Sequence, residues 1–590
     1  MKSVSSLFYK YDGQNPFIDN QARNFSDEKV SSEFYPVSSF WSLFNDQHEI
    51  IIGSRGSGKT FLLKMMRYSM LKRIESIKAK KLVEEKKYIA IYVPMHLEFI
   101  NSAISPYMTV EEKRKSFLTA FNCLLAQSFL HEIESILTEY NAIDQARKTV
   151  EISQYINYMW FKDSELLNYS LSSLADKVDS VFYKTPHYSN GGIEEPAVFH
   201  SKLFAPLLSV KEKIESILNL ANDPTWIICI DEAEFLDEDI QKMINSVFRS
   251  DSNKIAIKMA TLPYMHVTLE TIDSKIRVSE VNDFSYKVID MAYDSHDFVS
   301  LTNSLCAHRI KSRIDQTIKI DSLEDFLGRQ GNDDLIDYYK LETGNSNVSY
   351  DDIFDRIVES LSPKRQGNAP NYSNPRKTIY DKYAPILFLR ETYNLSKRGN
   401  HKSAWFAGAN TVRKLSQGNP RMFIRIMQLL FEKARERSSF SAKTQHEALY
   451  KFAKNNCESV QSMDEIGPLV YDNMCKIATY IHDKVHGETM ISIGSSFRIT
   501  KQAEIEKNKA WLQAAIANSQ LIVPEEVIME FNRVDTNTKF ILANCWCIVN
   551  WIPMRSDVAV AIKQIDKLDL ASNKKSEQIS IFEVTKNENL

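Results

Sequence analysis

The sequence predicts an α/β fold built on a parallel sheet. Three observations carry this expectation. Short apolar runs at His48–Ile52, Lys87–Met95, Pro224–Ile230 and Lys254–Ala260 are separated by stretches with helical spacing. That is the pattern of strands joined by helical crossovers. The first run ends in a glycine-rich turn and passes into Phe61-Leu62-Leu63-Lys64-Met65-Met66, so strand, loop and helix follow one another. Glycine (16) and proline (17) are scarce among the 590 residues, which favours long helices over a turn-rich all-β chain.

The elements follow in order. Residues 1–45 are polar and aromatic, with Pro16 and Pro36, and read as an irregular lead-in with a short helix near Ser38–Phe44. The helix after the glycine-rich turn continues to about Ile77. Residues 98–222 carry no strand signal. Within them Phe117, Leu118, Phe121, Leu124 and Leu125 fall on one helical face, so the stretch is a long helical insertion. Tyr286–Met291 is a candidate fifth strand. Residues 296–460 read as mainly helical, broken by a loop at Gly367–Pro375. From about 465 to 565 helices mix with strands at Lys539–Trp551 and Val558–Ile562, and the tail from Ala571 to Leu590 is polar.

Composition excludes several classes. Hydrophobic residues make up 43% and charged residues 25%, ordinary globular usage. Lys+Arg total 73 against 76 Asp+Glu, a net charge of -3, so bulk charge does not coat nucleic acid and only a local basic face is left open. The seven cysteines are scattered, without a CxxC pair, which reads as reduced cytosolic thiols and no zinc site. The N-terminus lacks an apolar signal region. Phe540–Met554 holds Asn544 and Asn550 and is too short to span a bilayer. The expectation is a soluble, cytoplasmic chain with no membrane contact.

Gly53-Ser54-Arg55-Gly56-Ser57-Gly58-Lys59-Thr60 fits GxxxxGK[ST] completely, between an apolar strand and an amphipathic helix. The glycines allow a loop tight enough for its N–H groups to surround a phosphate, and the helix N-terminus adds positive potential. Lys59 is then expected to bridge the β- and γ-phosphates of ATP, and Thr60 to hold Mg²⁺. Gly53 to Thr60 are the expected nucleotide-binding residues; within them Arg55 could touch phosphate, or face solvent or a neighbouring subunit.

The run Trp226–Ile230 ends in Asp231-Glu232. A carboxylate at a strand end beside such a loop can hold the metal through water, the role expected of Asp231. Glu232 is placed to polarise the attacking water. Glu234 reads as a solvated acid at a helix start. Thr261 follows the fourth strand and is a candidate γ-phosphate sensor, although strand-end threonines are often structural. In Ser416-Gln417-Gly418-Asn419-Pro420-Arg421, Asn419 suits an N-cap and Pro420 the first helical position. Arg421 then lies in the first turn, where the helix dipole disfavours a cation unless an anion such as a γ-phosphate is near. His96, His131, His187 and His200 look isolated and structural.

The order GSRGSGKT, a strand ending in DE, a strand ending in KMAT, and a helical region with GNPR resembles the AAA+ ATPases of the origin-recognition initiator branch, bacterial members above all. The resemblance covers most of the chain, least of all about 98–222 and 300–390. It implies a P-loop NTPase αβα core with a helical lid, long helical insertions and a C-terminal winged-helix-like domain. The boundaries expected are 1–45 for the lead-in, 46–295 for the core, 296–460 for the lid, 461–570 for the C-terminal domain and 571–590 for the tail. Lys59 and Thr60 match Walker A, Asp231 and Glu232 Walker B, Thr261 sensor 1 and Arg421 sensor 2. Sensor 1 in this branch is often asparagine, so Thr261 departs from the pattern. Arg249 and Arg277 are both candidates for an arginine acting on a neighbouring subunit of a homo-oligomer.

The resemblance further implies a switch ATPase that engages DNA and controls an effector partner, in antiphage defence or mobile-element biology. The C-terminal region argues less strongly for DNA. From Asp464 to Leu590 there are 14 Lys+Arg and 17 Asp+Glu. Lys501, Lys507, Lys509 and Trp511 cluster on an expected helix, interleaved with Glu504 and Glu506, a pattern that also suits a solvated face. Trp546 and Trp551 read as core. A scaffold that holds ATP with little turnover is the competing reading, and the intact Asp231-Glu232 pair weighs against it. No ordered series of helicase motifs is present.

Overall fold

The chain divides by packing into two units. One comprises Gln21–Gly53 and Gly58–Asp290, and the other Met1–Asn20, Ser54–Ser57 and Met291–Leu590. The computed structural model describes residues 15–18, 25–105, 107–163, 170–183, 196–221, 223–249, 255–314, 321–328, 340, 347–361, 375–397, 405–437, 440–463, 465–556 and 558–568. The loop expected at Gly367–Pro375 lies almost wholly outside these residues, and so does the tail.

The first unit is built on five parallel strands: β1 (Glu49–Ile52), β2 (Tyr88–Pro94), β3 (Thr225–Asp231), β4 (Ile255–Thr261) and β5 (Ser285–Val288). Their order is β2-β3-β4-β1-β5. β1 and β3 are buried along their whole length. Strands covered on both faces need apolar side chains at every position, which is why these runs are continuous rather than alternating. β5 pairs with β1 and is only half-buried, which explains its weaker sequence signal.

The elements described between β2 and β3 are all helices, as expected. Its longest helix, Val110–Leu137, starts from a capping box of Thr109 and Glu112. It lies against β2, where Ser128 Oγ donates to Tyr92 O at 2.9 Å. Phe129 packs on Trp160 and Trp226 at ring distances of 6.3 and 5.4 Å. Buried Asn122 donates to Phe199 O and Lys202 O, both at 2.9 Å, and accepts from Phe204 N at 3.0 Å. That polar side chain is satisfied, so its burial costs little.

The helix after β1 is shorter than its sequence periodicity suggests. It spans Lys59–Met66, and Arg67 takes an extended conformation at φ -53 and ψ 141. Arg67 Nε donates to Lys64 O at 3.1 Å and its guanidinium pairs with Asp27 at 2.6 Å. This arginine closes the helix C-terminus, and short helices at Tyr68–Leu71 and Ile77–Glu85 follow. A helix at Asp27–Glu33, capped by Ser26, also lies in what the sequence suggested was irregular.

In the second unit the described elements from His296–Arg313 to Gly467–Val485 are helices. A small sheet then follows, from β6 (Ile493–Ile499), β7 (Leu521–Ile522), β8 (Phe540–Leu542) and β9 (Val558–Ile562), in the order β7-β8-β6-β9. Helices Gln502–Lys507 and Lys509–Ala517 pack with it, an arrangement consistent with a winged helix, while Asn544–Val549 packs on helix Ala442–Ser459. The strand expected over Lys539–Trp551 is confined to Phe540–Leu542, and the rest turns helical at Asn544. Trp511 and Trp546 are each 2% exposed, with indole N–H groups donating to Asn508 at 2.7 Å and Gln520 at 2.9 Å. Trp511 is therefore core and not part of a basic face. Lys507 pairs with Asp566, and Lys501 is exposed.

Candidate active site

The loop Gly53–Gly58 joins β1 to the helix Lys59–Met66. Gly56 and Gly58 adopt φ of 90° and 102°. L-residues reach this region only at a cost, so the motif's glycines are conformationally required. Lys59 opens the helix and is only 9% exposed. Its Nζ folds back over the loop to donate to Gly53 O at 2.5 Å. Gly53 N donates to Thr261 O at 3.4 Å, which ties the loop's start to the end of β4.

Ser54–Ser57, the tip of the loop, groups with the unit that contains Arg421. Asn419 Nδ2 donates to Arg55 O at 2.8 Å, and Arg421 N donates to Gly56 O at 3.4 Å. Asn419 is also the N-cap of helix Pro420–Arg437, its Oδ1 accepting from Arg421 N at 3.0 Å and Met422 N at 3.1 Å. The Arg421 backbone therefore lies against the loop tip, and its side chain is half-buried. The Arg55 side chain is exposed.

Asp231 ends β3 and is 1% exposed. Its carboxylate accepts from Tyr92 Oη at 2.8 Å and is hydrogen-bonded to the Thr60 side chain. Burial raises its pKa, and those hydrogen bonds oppose the rise. Thr60 and Asp231, expected to meet at the metal, are thus in contact. Thr261 ends β4 with its hydroxyl buried and without a hydrogen-bond partner.

Glu232 holds a left-handed backbone at φ 58° and ψ 37°. Such a conformation in a non-glycine residue stores strain and is common at functional sites. Its Oε2 lies 2.6 Å from His96 Nδ1. That hydrogen bond is the main cause of a raised His96 pKa. His96 is therefore not an isolated structural histidine, and this corrects the sequence reading. The two meet because Pro94 is registered with Asp231, so His96 and Glu232 both fall just beyond the strand ends, a relation that no local sequence signal marks.

Glu234 is corrected too. It sits in a 3-10 turn, Ala233–Phe235, and its Oε2 is buried without a hydrogen-bond partner. Burial raises its pKa, and the Lys59 charge lowers it. It is not the solvated acid the sequence suggested. Arg249 is held by Asp283 through two contacts at 2.9 and 2.8 Å, whereas Arg277 is exposed. His131 is exposed, His200 is half-buried, and His187 lies outside the described residues.

Among the described residues no group of three or more His, Cys, Asp or Glu could hold a metal by itself, and no helix is long and apolar enough to cross a membrane. The described cysteines are all free thiols.

A family model described as ORC-CDC6-like matches residues 15–562. No curated protein matches the sequence. Among solved structures, this chain is similar to the crystal structure of Cdc6p from Pyrobaculum aerophilum. That likeness has a TM-score of 0.27 and 11% sequence identity, covering 92% of this chain and 97% of that one.

Proposed function

Because the chain belongs to the ORC-CDC6-like family, we propose that it is an AAA+ switch ATPase that binds and hydrolyses ATP, engages DNA and controls a protein partner. The observation that carries the ATPase reading is the hydrogen bond between Thr60 and buried Asp231, beside a loop whose Lys59 is itself buried. Oxygen donors of this kind suit a hard cation such as Mg²⁺, with Thr60 as a direct ligand and Asp231 acting through water. Bound with ATP, Mg²⁺ would neutralise charge on the β- and γ-phosphates.

The protein's own groups account for the rest. Lys59 exchanges Gly53 O for a phosphate oxygen. The loop N–H groups and the helix N-terminus cradle the phosphates. Glu232 turns from His96 toward the attacking water, and the unsatisfied Thr261 hydroxyl senses the γ-phosphate. Arg421 reaches the same phosphate, and occupancy is reported to the helix Pro420–Arg437 that it begins. Either Arg249, released from Asp283, or exposed Arg277 acts on a neighbouring subunit of a homo-oligomer. The setting in antiphage defence or mobile-element biology rests on the sequence resemblance alone.

A second reading has an observation in its favour. Glu232 is engaged by His96, and the mildly acidic C-terminal region pairs Lys507 with Asp566. A scaffold that holds ATP, turns it over little and touches no DNA fits these two facts. ATP turnover at low salt, alone and with single- or double-stranded DNA, separates the readings, because phosphate contacts weaken steeply with salt. DNA stimulation that Lys59→Ala and Glu232→Gln abolish supports the switch. Turnover that is absent or indifferent to DNA favours the scaffold.

A further inference from the structure

Two buried oxygen atoms at the C-terminal edge of the parallel sheet lack hydrogen-bond partners: Oε2 of Glu234 and Oγ1 of Thr261. Thr261 is 1% exposed. Both residues belong to the same unit. Thr261 ends β4, and β4 packs against the turn Ala233–Phe235 that carries Glu234. β3 and β4 run parallel with Ile230 beside Met259, so the chain beyond them brings Glu232 and Thr261 forward in step. Lys59 is the first positive charge to act on Glu234. Glu234 therefore lies within the field of the phosphate loop.

An unpaired buried carboxylate oxygen and an unpaired buried hydroxyl are each costly, and each calls for an explanation. A water molecule held between them would satisfy both, since it can donate to the carboxylate and either donate to or accept from the hydroxyl. Meanwhile the acid expected to hold the attacking water, Glu232, is engaged by His96.

We propose that Glu234 is a second carboxylate on the attacking water, holding it together with the Thr261 hydroxyl. The inference rests on the ATPase reading above and adds a residue to it. In the step, the water oxygen bonds to the γ-phosphorus as the bond from that phosphorus to the bridging oxygen breaks. ADP leaves with the electron pair. The water proton passes to a carboxylate of the Glu232 and Glu234 pair and then to solvent, leaving inorganic phosphate.

The test uses the full chain with Mg²⁺ and ATP. Turnover at saturating ATP, ATP affinity and thermal melting are measured for the parent, Glu234→Gln, Glu234→Asp, Thr261→Val, Glu232→Gln and the double Glu232→Gln/Glu234→Gln. Glu234→Gln should lower turnover roughly ten- to a hundredfold while ATP affinity stays within about twofold, the split expected of a group that acts on the reacting water. Glu234→Asp should recover part of the loss. Glu232→Gln should keep a residue of turnover that the double variant loses. If Glu234→Gln melts early, the conservative Glu234→Asp, compared for turnover against affinity, carries the test, and parental turnover in it overturns the proposal. The proposal is overturned by parental turnover in Glu234→Gln, or by losses of affinity that match the losses of turnover. Absence of ATP binding or turnover in the parent is a different failure, because it sinks the ATPase reading before any variant is made.

Discussion

His96 Nδ1 lies 2.6 Å from Glu232 Oε2, joining the residue just past β2 to the acid just past β3. The hydrogen bond raises the His96 pKa above the ordinary value of about 6.5. Below that value the pair is ionic and Glu232 is held. As pH rises through the raised pKa, the imidazolium loses its proton and Glu232 is released. ATP turnover should therefore climb with pH over this window. His96→Ala should flatten the climb and raise turnover about two- to fivefold at the acid end. The same pair stabilises the fold fully below about pH 6.5 and ceases to as pH passes the raised pKa. The histidine side chain is 43% exposed, so solvent weakens that contribution. A pH–rate profile that is the same for parent and variant would sink the assignment.

Asn419 makes three hydrogen bonds with one side chain, two to its own helix and one to Arg55 O on the phosphate loop. Asn419→Ala removes the N-cap and should cost about 0.5–2 kcal/mol. Asn419→Asp keeps both cap acceptors but loses the donor to Arg55 O. The aspartate variant should hold its thermal midpoint near the parent's and still bind ATP more weakly. Equal melting losses in the two variants would show that the loop contact, not the cap, sets stability.

Gly56 and Gly58 are both left-handed, but their surroundings differ. A Cβ on Gly56 would meet Arg421 Cβ at 2.7 Å and Asn419 Oδ1 at 2.8 Å, whereas nothing lies within 4 Å of one on Gly58. Gly58→Ala should therefore cost the conformational strain alone, about 1–2 kcal/mol. Gly56→Ala should cost more, because it also displaces the start of helix Pro420–Arg437. Thermal melting without nucleotide compares them directly, and a smaller loss for Gly56→Ala would contradict the packing described.

Much of this was legible because the relevant signals are local. β1 to β4 are continuous apolar runs, and the phosphate loop is one contiguous motif. What was missed depends on partners far along the chain. His96 meets Glu232 across 136 positions, set by strand register and not by spacing. Arg67 ends its helix because Asp27 holds its guanidinium, which periodicity cannot reveal. The burial of Glu234 is a tertiary property that no local spacing encodes. The run after Phe540 turns from strand to helix at Asn544, and a short apolar stretch fits strand and buried helix equally well.

Lys258 stands within the apolar run of β4, and its side chain is fully buried. Its Nζ donates to Glu49 Oε2, Asn45 Oδ1 and Gln47 O, each at 2.8 Å, and Lys287 approaches the same glutamate at 3.6 Å. The ammonium is fully satisfied, and it pins β1 to β4 beneath the phosphate loop. Lys258→Met leaves Glu49 buried with only the Asn45 Nδ2 hydrogen bond at 3.3 Å and the more distant Lys287, so it should cost about 3–5 kcal/mol, nearer the lower figure. Lys258→Met with Glu49→Leu removes both charges and should recover most of that loss, because the penalty comes from the unpaired carboxylate and not from the missing bond. Hydrogen exchange at the β1 and β4 amides reads the effect locally. A double variant no more protected than Lys258→Met would mean that the lysine's bonds to Asn45 and Gln47, not its charge, hold the two strands together.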